Sequence, residues 1–282
     1  MHTVMGKSIA LLMGLLPLII APAIGADMQY PDFEAQWRNP TAGRGGNPWD
    51  PGKPMGLAQQ APLTPQYQAI FETSLKEQKA GGQGNSLGST CTLPGMPKMM
   101  NLSEPMEIVI RPQTTYFIPM QYPTRRIYTD GRDWPADEPP TFGGYSIGKW
   151  IDEDGDGRYD ALEVETRGPF KGPRVYDASG LPLHHDNQSI IKERIHLDKA
   201  DRNLLHDEIT VLDHALTRPW TVDKRFLRNL NPRPQWPEYG CEGNSQIKIG
   251  NEFYFLSADG LLMPTRHGQP APDLRYFKQS RK

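Results

Sequence analysis

The chain has 282 residues, and its 31 basic and 33 acidic side chains leave a formal charge of −2 with no polybasic stripe, which argues against nucleic acid or an anionic membrane surface as partner. Its 27 glycines and 28 prolines imply many turns and irregular arms and disfavour a helical bundle. Beyond the amino terminus no stretch is apolar for long enough to cross a bilayer.

Residues 1–26 read as a secretory signal peptide: Lys7 ahead of an apolar run from Ile9 to Ile20, then the small residues Ala21, Ala23, Gly25 and Ala26. The expected location is periplasmic or secreted. Residues 27–60, with Pro31, Pro40, Pro48, Pro51 and Pro54 and the glycines at 43, 45 and 46, form an irregular arm. Residues 61–282 are expected to make a single domain. Thr64-Pro65 opens a helix over 65–80, with Tyr67, Ile70, Phe71 and Leu75 on one face and Gly81-Gly82 as its stop. That stripe is expected to cover the open end or flank of a sheet.

Period-2 segments follow at Met106–Arg111, Thr115–Met120, Arg125–Thr129, Tyr145–Ile151, Ala161–Arg167, Ser189–Leu197, Leu204–Asp213, Trp220–Arg228, Ile247–Leu256 and Leu261–Pro264. Short strands at this spacing predict a mainly β fold, an antiparallel barrel of about 8–10 strands, because closure removes exposed edges. Cys91 and Cys241 are expected to pair in an oxidising compartment, two buried free thiols being the alternative.

Between two of these segments, residues 152–163 place carboxylates at loop positions 1, 3, 5, 9 and 12 and Gly157 at position 6. A hard cation such as calcium takes about 6 to 8 oxygens, so Asp152, Asp154, Asp156, Asp160, Glu163 and the carbonyl of Arg158 are its expected ligands. The flanks alternate with the period of strands, so the loop caps a β-hairpin rather than joining two EF-hand helices. In that setting Glu163 is free to leave the metal for the strand.

Arg126-Ile-Tyr128-Thr-Asp130-Gly131-Arg132, Gly144-Tyr-Ser146-Ile-Gly148-Lys-Trp150, Leu162-Glu-Val-Glu165-Thr166 and Leu216-Thr217-Arg218-Pro219-Trp220 resemble the signature of secreted, functionally uncharacterised proteins of soil proteobacteria and acidobacteria. The resemblance runs over residues 60–278 and implies a lipocalin-like antiparallel barrel without an assigned activity. Shorter members replace the acidic loop by a tight turn, which implies that calcium elaborates the scaffold.

Gly144-Tyr-Ser146-Ile-Gly148 matches the Gly-x-Ser-x-Gly string of serine hydrolases, but no helix follows to build the nucleophile elbow. A polar constellation lies in the hairpin of Lys192, Arg194 and His196 with His206 and Glu208. If Arg194 stands opposite Glu208 the two rows form one surface, and a register shifted by one divides them. Turned into the lumen, His206 or His196 would serve as a general base oriented by Glu208, with Arg194 or Arg126 holding an anion; turned outward, the row is a solvated face. His214 is a secondary candidate. His184-His185-Asp186 lacks a helical or hairpin ligand spacing and reads as loop. Arg125, Arg126, Tyr128, Asp130 and Arg132 form a candidate clamp for a carboxylate or phenol, and Arg126, Tyr128, Trp150 and Trp220 are the expected ligand contacts. The leading expectation is a calcium-stabilised barrel that handles a small hydrophobic or aromatic molecule. The alternatives are a cofactor-independent lyase, isomerase or hydrolase, and a structural envelope protein. Oligomeric state is left open.

Overall fold

A computed structural model describes residues 29–40, 48–82, 84–85, 93–172 and 174–236, and the backbone of three further strands between residues 246 and 265. The expected signal peptide and the Cys91–Cys241 pair lie outside the described residues. Among those residues no helix is long and apolar enough to cross a membrane.

The fold is the expected one, a closed β-barrel with a single α-helix among the described residues. Its nine strands are β1 (Gln36–Arg38), β2 (Met106–Arg111), β3 (Thr114–Pro119), β4 (Arg125–Tyr128), β5 (Tyr145–Ile151), β6 (Ala161–Arg167), β7 (Ile190–Leu197), β8 (Leu204–Leu212) and β9 (Trp220–Arg228). They pair in chain order, and β1 closes the ring against β9 through Trp37 with Arg228. Several details depart from expectation. The closing strand comes from the arm at 27–60, whose prolines conceal a three-residue strand. The last strands, β10 (Gln246–Ile249), β11 (Glu252–Leu256) and β12 (Leu262–Thr265), form a sheet of their own.

Strand directions cannot alternate all the way round a ring of nine. One neighbouring pair must run parallel, and it is β4 with β5. A parallel pair needs a crossover of a dozen or more residues, and residues 129–144 supply it. The two strands share the register pairs Ile127 with Ser146 and Tyr128 with Ile147, far fewer than the β5–β6 pair beside them.

Inner-face side chains from every strand of the barrel join one buried cluster, among them Trp37, Ile108, Phe117, Ile127, Trp150, Val164, Ile195, Ile209 and Phe226. The loop after β6 folds inward: Tyr176 is fully buried and its ring packs 5.3 Å from Trp220 and 5.7 Å from Trp49. Tyr30 and Phe33 of the arm lie 5.1 and 5.6 Å from Trp150. The lumen is thus packed with side chains, its loops and arm folded onto the strand ends.

Helix α1 (Pro65–Lys79) begins as expected with proline in its first turn. Its buried positions are Phe71 and Ser74, whereas Ile70 is exposed. The reason is the surface it meets. Gln78 Nε2 and Ser74 Oγ donate to the carbonyl of Ser179 in the inward-folded loop, at 2.6 and 3.4 Å, while Phe71 joins the buried core and Leu75 packs against it.

Candidate functional site

The wall parts where β4 and β5 begin, on the near side of their two register pairs. A cleft of about 470 Å³ opens there, lined by Arg125, Arg126 and Tyr128 of β4, Tyr145 and Ser146 of β5, Glu138 and Pro140 to Gly144 of the crossover, and Lys171. Tyr128 and Tyr145 stack with ring centroids 5.0 Å apart. Arg132 lies over the Tyr128 ring at 3.8 Å and donates to the Tyr145 hydroxyl at 3.2 Å. Its ion pair with Asp130, 2.7 Å long, holds that carboxyl below its ordinary value. Of the five residues expected to clamp an anion, Arg132 and Asp130 are therefore engaged with each other.

Arg125 is also engaged, at the inner end of the cleft. Both its terminal nitrogens donate to the Glu193 carboxylate, one at 2.7 Å, and Nη2 also reaches Thr166 Oγ1 at 2.9 Å. Ser146 hydrogen-bonds Thr166 at 2.8 Å and is buried. It sits mid-wall on a strand, not on an elbow. The glycines of its motif are steric: a Cβ at Gly148 would lie 2.6 Å from Ile127, and Gly144, at φ +69°, 2.5 Å from the Arg167 carbonyl.

The expected ligand contacts divide. Arg126 and Tyr128 line the cleft, whereas Trp150 and Trp220 point into the packed core.

The β7–β8 register places Arg194 opposite Glu208 and His196 opposite His206, so the polar row is a single surface. It faces outward. Ile191, Ile195 and Leu197, with Leu205, Ile209 and Val211, occupy the inner positions, which corrects the placement of His206, His196, Glu208 and Arg194 in the lumen. The two imidazoles stack at 5.0 Å; His206 Nδ1 lies 3.0 Å from Asp223 and its Nε2 3.3 Å from Asp198, while His196 Nε2 is 3.5 Å from Glu208. Apolar parity decides this orientation and could have been read in advance.

The same parity exposes four charged residues not singled out for the lumen. Arg125, Glu193, Asp207 and Lys224 stand where apolar neighbours two residues away face inward, and all are buried. Asp207 and Lys224 are register partners, yet Lys224 Nζ turns to the carbonyls of Pro48 and Trp49 and to Asn101 Oδ1, at 3.0, 2.5 and 2.7 Å. Neither Asp207 oxygen has a hydrogen-bond partner. Burial and the nearby Glu193 push its carboxyl well above the ordinary range.

In the acidic loop, Asp152, Asp154 and Asp156 each bring a carboxylate oxygen within 4.8 Å of the others. Gly155 and Gly157 take φ of +75° and +86°, the left-handed turns that let alternate side chains converge. Asp160 accepts the Glu153 amide at 2.8 Å. Glu163 has joined β6, where Arg194 is its register partner and reaches it at 3.5 Å. Three all-oxygen ligands on an exposed turn suit a hard cation.

Comparison with protein-family models, curated proteins and solved structures returns no match.

Proposed function

We propose that this protein is exported and binds a small aromatic carboxylate or phenolate in the cleft between β4 and β5, with calcium on the acidic loop as a structural ion. What supports this reading is the composition of the cleft: apolar and aromatic walls from Met99, Tyr128, Pro140, Phe142 and Tyr145, with the cations Arg126 and Lys171. Its volume of about 470 Å³ lies within the roughly 300–1,000 Å³ range of small-molecule sites. The packed lumen favours this cleft over an enclosed central cavity. Titrating the protein calorimetrically with benzoate and with cyclohexanecarboxylate tests the assignment. Benzoate is expected to bind more tightly, and Tyr128→Ala or Arg126→Ala to weaken it by about tenfold, the effect of roughly 1.4 kcal/mol. Equal benzoate affinity in wild type and both variants, or no binding at all, would refute the site.

A second reading, acid–base catalysis, is favoured by one observation: Arg194 and His196 line a groove of about 510 Å³ beside the acidic loop, together with Tyr159 and Lys199.

A further inference from the structure

Besides the acidic loop, one other described group of three side chains brings its ligand atoms within 4.8 Å of one another: His184, Asp186 and His214. The geometry points to a binding site there for a divalent transition ion of the zinc class, held by two imidazole nitrogens and one carboxylate oxygen and open to solvent on its remaining side.

The residues come from two separate segments. His184 and Asp186 lie in the loop between β6 and β7, and His214 follows β8. His184 Nδ1 is 3.2 Å from Asp186 Oδ2, and His214 Nδ1 meets the same oxygen. Zinc bonds of about 2.0–2.1 Å put neighbouring ligands of a tetrahedral ion roughly 3.4 Å apart, so His184 and Asp186 already stand at the separation of two ligands on one ion. The imidazoles meet edge to face, centroids 5.7 Å apart at 84°. The His196–His206 pair differs: its rings are parallel, and its nitrogens face separate carboxylates.

Contacts outside the donor set hold these groups in place. Asp186 Oδ1 accepts the Gln188 amide at 3.0 Å, which leaves Oδ2 to the imidazoles. Asn187, in the left-handed region at φ 60°, turns the chain and accepts the Phe170 amide at 3.0 Å. Asp213 accepts the amides of His184 and Ala215 at 2.9 and 2.8 Å, binding the loop to the segment that carries His214. Such outer contacts are what fix metal ligands in place. Two nitrogens and one oxygen form a borderline donor set, suited to zinc, cobalt or copper rather than calcium. The side chains of His184 and His214 are 38% and 64% exposed, so water can complete the coordination, the arrangement of zinc sites with an open position.

Calorimetric titration of the full chain with Zn²⁺, in excess Ca²⁺, tests the site. The wild type is expected to take up about one equivalent. His214→Ala and Asp186→Asn should bind at least about tenfold more weakly, with folding checked by circular dichroism, while Asp154→Asn in the acidic loop should bind as the wild type does. Cobalt titration should give the visible d–d bands of a low-coordinate ion, lost in His214→Ala. A wild type that takes up no zinc, zinc displaced by calcium, or full affinity in His214→Ala would overturn the proposal.

Discussion

Lys224 and Asp207 show how a charge inside a barrel makes stability depend on pH. The ammonium of Lys224 finds three acceptors for its three N–H bonds, but burial outweighs them and lowers its pKa from 10.5 to about 7, against the opposing pull of Asp177, Asp207 and Asp50. Between those two values the unfolded chain holds a proton that the folded chain has lost, so this residue makes stability rise with pH. Below about 7 both states are protonated and the full burial cost remains. Asp207 acts in the opposite direction: its raised pKa gives stability that is complete below the unfolded value and lost as pH climbs through the folded one. Lys224→Met should therefore remove an upward slope on the order of a few kcal/mol between about pH 7 and about pH 10. Urea unfolding across that range measures it, and a slope unchanged by the substitution would contradict the assignment. These charges were legible in the sequence as polar residues on apolar parity, as in Leu205-His206-Asp207-Glu208-Ile209. What the sequence did not show was their partners, because Lys224 is satisfied by backbone carbonyls far away in the chain.

At the scale of the element, the β5–β6 hairpin joins a calcium-type turn to an ordinary ladder. Glu163 lies across from Arg194, and Arg194 also pairs with Glu153 within the turn, so a neighbouring strand already steadies the loop. An ion that binds only the folded state, at a hundredfold excess over its dissociation constant, adds about 2.7 kcal/mol. Chelator should thus lower the melting temperature by roughly 5–10 °C. Asp154→Asn should abolish that difference and Glu163→Gln should preserve it; calorimetric melts with and without chelator distinguish the two. Strands such as β5, β6 and β9 were legible to the residue, because alternation in a half-buried strand is a local property. The parallel pairing of β4 with β5 was not, since alternation carries no information about which strand lies alongside. The cluster of His184, Asp186 and His214 was hidden for a similar reason: ligand spacing reveals a metal site when short fixed intervals recur, and His214 lies 28 residues beyond Asp186.

For the whole molecule, closure depends on the smallest strand. Gln36 pairs with Glu107 and Trp37 with Arg228, so β1 bridges what would otherwise be two open edges. Trp37 is fully buried, donates Nε1 to the Phe33 carbonyl at 2.8 Å, and has the Arg228 guanidinium 4.7 Å over its ring. Trp37→Ala should cost about 3–5 kcal/mol, read from the urea midpoint, and a loss below about 1 kcal/mol would show that the seam closes without it. The strand escaped sequence reading because three residues among prolines are too few to establish a period. Its presence makes the strand count odd, and this has a lasting consequence. Any hairpin gained or lost changes the count by two, so a closed wall of this kind that keeps β1 has an odd number of strands whichever hairpins are added or removed. At least one parallel seam must survive every change made by whole hairpins. Such insertions can move the opening beside Tyr128 and Tyr145 around the wall, but they cannot remove the parallel seam that gives rise to it.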